Sequence, residues 1–390
     1  MKPLIFLNSH PIQYFAPLYQ QINAATDISL TVLYCSDESI QGKLDRGFGT
    51  AVKWDIPLLE GYNPVFLKNI SWMPSIHKGF WGLINPAIIS YLYKQPKSVI
   101  VVHGWAYCTN ILAIIFGRMF GHTVCLRAET PLNQELKKNK PVTKLKHLYL
   151  RFLFLFINRF LYIGEQNKLF YQALGVKGRK LLFVPYAIDN KRFRKMHTET
   201  SKAEARAILK LPANKKIILY SGKYIYKKRP IDLLKGFHQM LDNSNALLLM
   251  MGDGECRTEM ETYIGNNSLD NKVILTGFIN QSQIPLYYQS ADIFVMCSGL
   301  GETWGLSVNE AMNFGLPVIV SDTCGSAYDL VDNGINGAVF ETGNIQQLAT
   351  LLQQYIQKSA EDFAGIERAA FKKIDQYSYD KIIAAVQSML

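Results

Sequence analysis

None of the six cysteines, Cys35, Cys108, Cys125, Cys256, Cys297 and Cys324, forms a C-x-x-C pair or joins a Cys/His cluster with metal-ligand spacing. That scatter argues against a disulfide framework or a thiolate metal site and suits buried thiols in a reducing compartment. No uncharged apolar stretch reaches the roughly 20 residues that cross a bilayer, so the chain reads as soluble or peripheral. The apolar run after Met-Lys-Pro covers only residues 4–7 before Asn8, Ser9 and His10. It is too short for the core of a signal peptide and reads as a buried strand. No G-x-G-x-x-G follows that strand, which speaks against a dinucleotide-binding dehydrogenase. Repeats and low-complexity tracts are also missing. Charged residues make up only 19% against 48% hydrophobic, a globular rather than disordered composition. Acidic residues are the scarcer sign, 31 against 42 basic, and the net charge of +11 favours anionic partners: nucleic acid, anionic lipid or a phosphorylated substrate.

The 390 residues suffice for two or three domains. Apolar runs of strand length alternate with helix-length segments throughout, the rhythm of a doubly wound α/β fold. Residues 4–7, 28–34, 98–102, 123–127 and 160–163 read as strands of one half; residues 217–220, 246–251, 273–276, 293–297 and 317–321 read as strands of the other. Residues 185–201, polar and basic without clear period, read as the linker. The expected domains are 1–184 and 185–374, both Rossmann-like parallel sheets, with a helix at about 375–390 packing back on the first.

Residues 293–340 carry the densest signals. A strand ends in Gly299-Leu300-Gly301-Glu302-Thr303-Trp304-Gly305, and a helix starts near Leu306 and stops at Gly315, a suitable glycine terminus with Pro317 beyond. Ligands of open α/β sheets bind outside the carboxyl ends of strands, where this loop falls. Its glycines let backbone approach a ligand, and N–H groups at a helix start attract anions. Glu302 and Glu310 lie eight residues apart, one in the loop and one in the helix. Carboxylates can each accept hydrogen bonds from paired hydroxyls of one extended polyol ligand; the bland alternative is a helix cap and a solvated face.

A second strand, 216–220, runs into Ser221-Gly222-Lys223-Tyr224-Ile225-Tyr226-Lys227-Lys228-Arg229-Pro230. Pro230 suits a first helical turn, which leaves Lys223 and Lys228 in a strand-end loop where both can meet a diphosphate. The alternative is a solvated charge run.

Three spacings together resemble retaining glycosyltransferase family 4, the group 1 glycosyl transferases of GT-B fold. They are Gly222-Lys223 with Lys228; Glu302 with Glu310 in an E-x7-E pattern followed by Gly315-Leu316-Pro317; and Val184-Pro185-Tyr186-Ala187-Ile188-Asp189 with Phe193. Weaker echoes are Gly252-Asp253-Gly254, Gly277-Phe278 and Asn333-Gly334. The resemblance implies two Rossmann-like doubly wound parallel-sheet domains facing a central cleft. It implies that Glu310 holds ribose hydroxyls, that Glu302 touches the donor sugar, and that backbone from Thr303, Trp304, Gly305 and Leu306 holds sugar and phosphate. Lys223 and Lys228 would neutralise the departing diphosphate, and Gly254, Phe278 and Ile279 would line the base pocket. The anomeric configuration would be retained, with a nucleotide sugar as substrate, no cofactor and no metal; no Asp-x-Asp triplet is present.

The N-terminal half departs from that pattern. Ser9-His10-Pro11-Ile12-Gln13 replaces a Gly-rich loop, so His10 becomes a candidate side-chain donor. His103 resembles the family's histidine at this strand end, and Glu129 stands where many relatives carry histidine. Glu129 reads as a site carboxylate with Arg127 beside it, or the two form a structural pair.

Residues 137–159 hold Lys137, Lys138, Lys140, Lys144, Lys146, Arg151 and Arg159 with no acid, interleaved with apolar and aromatic residues. Such a helix can lie on an anionic membrane; Leu148 onward is expected mainly to pack inward, with the lysines facing lipid. The expectation is a bacterial enzyme, peripheral at the cytoplasmic membrane's inner face, that builds cell-surface polysaccharide, lipopolysaccharide or capsule. Alternatives are a nucleotide-sugar epimerase or hydrolase of the same fold, and a basic nucleic-acid binder without a recognised motif.

Overall fold

The computed structural model describes residues 3–25, 28–42, 44–45, 47, 49–51, 53–138 and 140–390. Long apolar runs become central strands, because a strand covered by helices on both faces needs no polar side. In the first sheet these are β1 (Leu4–Asn8), β2 (Leu30–Tyr34), β4 (Val99–His103), β5 (Thr123–Arg127) and β6 (Arg159–Tyr162). β3 (Asn63–Phe66) and β7 (Leu181–Phe183) form its edges, giving the order β3-β2-β1-β4-β5-β6-β7. Every pairing in it is parallel. Chain order reverses between β1 and β4, so Asn8 and His103 end the two strands that flank the switch point.

The second sheet has the order β10-β9-β8-β11-β12-β13, again all parallel. Its strands are β8 (Lys216–Ser221), β9 (Ala246–Met251), β10 (Val273–Leu275), β11 (Ile293–Met296), β12 (Val318–Ser321) and β13 (Gly337–Phe340). Each core packs around its own sheet: Leu7, Val102 and Leu126 are wholly buried in the first, Ile218, Leu248 and Val295 in the second. Side chains of that size contribute about 1.5–3 kcal/mol each.

The chain divides into two units. Met1–Lys43, Ile56–Tyr186 and Tyr379–Leu390 form one, and Leu44–Asp55 with Ala187–Ser378 form the other. One correction to the expected first domain follows: residues 44–55 belong to the second unit. In the first unit the terminal helix Tyr379–Gln387 is tied to the loop after β1, Tyr379 Oη donating to Tyr14 O at 2.6 Å.

The expected linker is also corrected. It contains a helix, Asn190–Glu199, whose N-cap Asp189 accepts from Arg192 N at 3.2 Å. Phe193 is its buried anchor, and one buried apolar residue in a basic helix leaves no visible period. His197 fixes it between Gln289 and Glu367, at 3.0 and 3.1 Å.

A third correction concerns the basic helix Lys140–Leu153. Leu150, Leu153 and Phe154 are buried, but Leu145, Leu148, Phe152 and Leu155 are 60–72% exposed. Lys138 and Lys146 both donate to Glu135, at 2.8 and 2.7 Å. Burial alone would raise the Glu135 carboxyl, but these two ammonium groups hold it below the ordinary range.

Asp292 fixes the register of the strands that carry the candidate site. Its carboxylate accepts from Arg206 at 2.5 Å, Lys202 at 2.8 Å and the amide of Ile217, on β8, at 2.7 Å. Burial opposes ionisation, yet these donors bring the carboxyl below the usual aspartate value. A folded-state value below the unfolded one means stability present above about pH 4 and lost as pH falls further. Asp292→Asn is therefore expected to flatten the acid limb of a stability-against-pH curve, measured by denaturant midpoints between pH 3 and 6, and to lower stability at pH 7.

Candidate active site in the second unit

The two lysine- and glutamate-bearing loops leave adjacent strands, β8 and β11, and are stitched together. Gly299 N donates to Lys227 O at 2.8 Å, and Lys227 Nζ donates to Gly301 O at 3.3 Å. Lys228 then donates to Glu302 Oε2 across 74 residues of sequence. That pair is 19% and 11% exposed at its side chains, so its charges lie at the rim of the strand ends rather than in the core.

The loop 299–305 is shaped by glycines. Gly301 and Gly305 take φ +95° and +96°, a left-handed conformation that costs other residues about 1–3 kcal/mol. At Gly305 a Cβ would also meet Met296 Sδ at 2.6 Å. The next loop braces it from below: Gly325 N donates to Glu302 O at 3.2 Å, Ser326 N to Trp304 O at 3.0 Å, and Cys324 Sγ to Trp304 O at 2.9 Å. Burial, and then the charge of Glu302, pushes the Cys324 thiol up to about 12, so it stays protonated and remains a donor.

Trp304 is 2% exposed and donates to Asn309 Oδ1 at 2.8 Å. Its indole is an internal anchor. Glu310 is 1% exposed and accepts from Tyr288 Oη at 2.8 Å, which overturns a solvated face. Tyr288, itself stacked on Phe314 with centroids 5.8 Å apart, has no marker in the sequence; it lies 22 residues before Glu310. Helix Leu306–Met312 holds Glu310 and ends before Gly315, at φ +66°.

Beside Gly222 it is Gly252 that must stay small. The Gly222 amide donates to Met251 O at 3.0 Å, and a Cβ on Gly252 would fall 1.9 Å from Gly222 O, whereas a Cβ on Gly222 itself would come no nearer than 3.5 Å to Tyr220. Lys223 follows half-buried, its carbonyl accepting from Tyr220 Oη at 3.0 Å. Gly252 N donates to Gly277 O at 3.0 Å, drawing the loops of Gly254 and of half-buried Phe278 and Ile279 together.

In the first unit, His10, His103, Arg127 and half-buried Glu129 lie at or just beyond strand ends. Burial brings His10 down to about 4, with Ser9 Oγ 2.9 Å from its Nδ1. Burial, and then Arg127, holds His103 well below its ordinary value. Both imidazoles are neutral at pH 7 and neither supplies positive charge. Arg127 is 4% exposed, donates to Val184 O at 3.2 Å and lies over the rings of Phe15 and Tyr186.

Residues 201–373 match the family model described as glycosyl transferases group 1. Alpha-monoglucosyldiacylglycerol synthase of Streptococcus pneumoniae is 26% identical over 217 residues, 52% of this chain and 47% of that protein. Lipopolysaccharide 1,6-galactosyltransferase of Escherichia coli is 27% identical over 144 residues, 35% of this chain and 39% of that one. The chain spans about half the length, or less, of the curated relatives it matches. Among solved structures, Anabaena Alr3699/HepE in complex with UDP and glucose aligns over 100% of both chains, with a TM-score of 0.73 and 17% identity. The fold is thus two parallel-sheet α/β units of the GT-B kind, and residues 201–373 within it are similar to the group 1 glycosyl transferases.

Proposed function

We propose that this chain is a retaining glycosyltransferase of family 4 that moves a sugar from a nucleotide-sugar donor to a glycan or lipid-linked glycan of the cell surface. The observation that carries the reading is the meeting of Lys228 and Glu302 at the strand ends, with Glu310 on the helix that follows. The match to the family model, a related structure that holds UDP and glucose, and relatives named for glycolipid and lipopolysaccharide sugars support it.

In this reading the bond from the anomeric carbon to the diphosphate oxygen breaks as the acceptor oxygen bonds to the same face. The acceptor's proton passes to the departing phosphate. Lys223 and Lys228 bear the developing negative charge, so the reading calls for no metal. Glu302 and Glu310 orient donor hydroxyls, as acceptors do best in a water-poor site. His103 and Glu129, a neutral donor and a carboxylate, serve sugar or acceptor hydroxyls, with His10 and Arg127 on the acceptor side.

Calorimetry with a panel of nucleotide sugars tests the donor site. Glu310→Ala is expected to weaken binding about 10- to 100-fold, the worth of a hydrogen bond to a charged group, and equal affinity in the variant rejects the assignment. Incubation with donor alone and then with lipid extract separates transfer from hydrolysis or epimerisation, since only transfer needs the acceptor.

The acceptor is proposed to be met at an anionic membrane, where the exposed apolar stripe of Lys140–Leu153 and its neighbouring lysines lie on the headgroups. No described helix is long and apolar enough to cross a membrane. Leu145→Glu with Phe152→Glu is expected to abolish co-sedimentation with phosphatidylglycerol vesicles; unchanged sedimentation rejects the surface.

A further inference from the structure

Residues 44–55 leave the first unit's sequence to join the second unit. Asn280 binds both sides of Trp54: its Nδ2 donates to Lys53 O at 2.8 Å, and its Oδ1 accepts from Asp55 N at 3.4 Å. Asp55 accepts from Ser282 N at 3.2 Å and from its hydroxyl. Between these clamps the Trp54 indole meets Phe278 edge-on, at 6.0 Å between centroids and 61° between planes. Both rings stay half-buried. Gly254 lies close against the same segment: a Cβ there would fall 2.7 Å from Gly47 O and 2.7 Å from Tyr224 O.

Phe278 and Gly254 follow β10 and β9, the edge of the sheet beyond the lysine loop of β8. A donor whose diphosphate sits at Lys223 and Lys228 has its nucleobase to place, and ligands of such sheets lie across strand carboxyl ends. A flat base needs an aromatic or apolar face, because its in-plane edges alone carry hydrogen bonds. The half-buried Trp54 indole keeps part of its surface exposed at this edge. Two aromatic rings clamped half-buried there are suited to a base and poorly suited to an acceptor sugar's many hydroxyls.

We infer that Trp54, presented by residues 44–55, is a wall of the nucleobase pocket, contributed by a segment outside the group 1 match at 201–373. The inference rests on the donor-site reading above and goes beyond it, since that reading assigns the pocket only to Gly254, Phe278 and Ile279. The clamp then has a purpose: Asn280 and Ser282 fix the indole's position, and Asp55 is a positioning residue.

Calorimetry of the full chain with UDP, ADP and GDP, and with inorganic pyrophosphate as the base-free control, tests it. With whichever diphosphate binds the wild type, Trp54→Ala is expected to bind about 10-fold or more weakly, as loss of one base–aromatic stack predicts. Trp54→Phe should stay within about threefold, because a smaller ring keeps a stacking face. Pyrophosphate affinity should be equal in all three proteins. Asp55→Ala, which leaves the ring in place but loosens its clamp, should fall between. Equal diphosphate binding by wild type and Trp54→Ala overturns the inference and leaves the donor site standing. A parallel loss for pyrophosphate also overturns it, since the effect is then not on the base. A wild type that binds none of the diphosphates overturns the donor reading itself and the wall with it.

Discussion

Lys228→Ala is expected to lower kcat by about 100- to 1,000-fold, the cost of removing one fixed donor to charge that develops in a transition state. KM for the donor should change far less, because the charge on the diphosphate grows as the glycosidic bond breaks. The same substitution leaves Glu302, 8% exposed, without its ammonium partner. A stability loss of about 1–2 kcal/mol follows, below the figure for a fully buried pair because both side chains retain solvent contact. Combining it with Glu302→Gln separates the two consequences. The double variant should regain most of the stability, since the carboxylate that lost its ammonium is gone, and should stay as slow as Lys228→Ala or slower. Steady-state kinetics and denaturant midpoints on the four proteins of the cycle give the answer. Wild-type turnover in Lys228→Ala contradicts the role given to this lysine.

Gly325→Ala is the second large effect, and it involves no charge. A Cβ at this position would lie 1.8 Å from Thr303 O and 2.6 Å from Thr303 C. These atoms are backbone and cannot swing aside like a side chain. The loop 302–305 must move away, and the Gly325 N to Glu302 O and Ser326 N to Trp304 O bonds are strained or lost with it. Overpacking of this kind costs about 1–3 kcal/mol, with about 1 kcal/mol more for each hydrogen bond broken. The melting temperature should fall by several degrees, and donor binding should fall more steeply than stability does, because the carbonyl that moves belongs to the residue beside Glu302. Thermal scans paired with calorimetry check both. An alanine variant with normal melting and normal donor affinity would show that the brace under the loop is dispensable.

How much of this was legible in the sequence depended on burial. The central strands were legible because covering on both faces writes them as apolar runs, as in Ala-Leu-Leu-Leu-Met-Met at β9. Three strands of the two parallel sheets left no such mark: β3, β7 and β13, each at the edge of its sheet. Asn63-Pro64-Val65-Phe66 is partly exposed along its whole length, and its proline is tolerated because an edge strand has one unpaired side. Within the candidate site, Glu302, Lys228 and Glu310 stood out by spacing. Tyr288 did not, since a tyrosine that approaches a carboxylate from another helix has no fixed offset from it. Trp54 was equally silent, because contact with Phe278 across 224 residues is a property of topology and not of local pattern. The exposed face of Lys140–Leu153 was misread for a related reason: Leu148 and Phe152 have the composition of a core stripe, and only the packing of Leu150 and Leu153 shows which side faces inward.

The first unit takes in Tyr379–Leu390, and Tyr379 reaches Tyr14 across 365 positions. Closing a loop of that span must await synthesis of residue 379, whereas Ala187–Ser378 already contains every strand of the second sheet. On the ribosome, the later-made sheet can therefore assemble while the earlier-made one still lacks its closing helix, so nascent chains stalled before residue 379 should expose part of the β1 layer to chaperones and proteases.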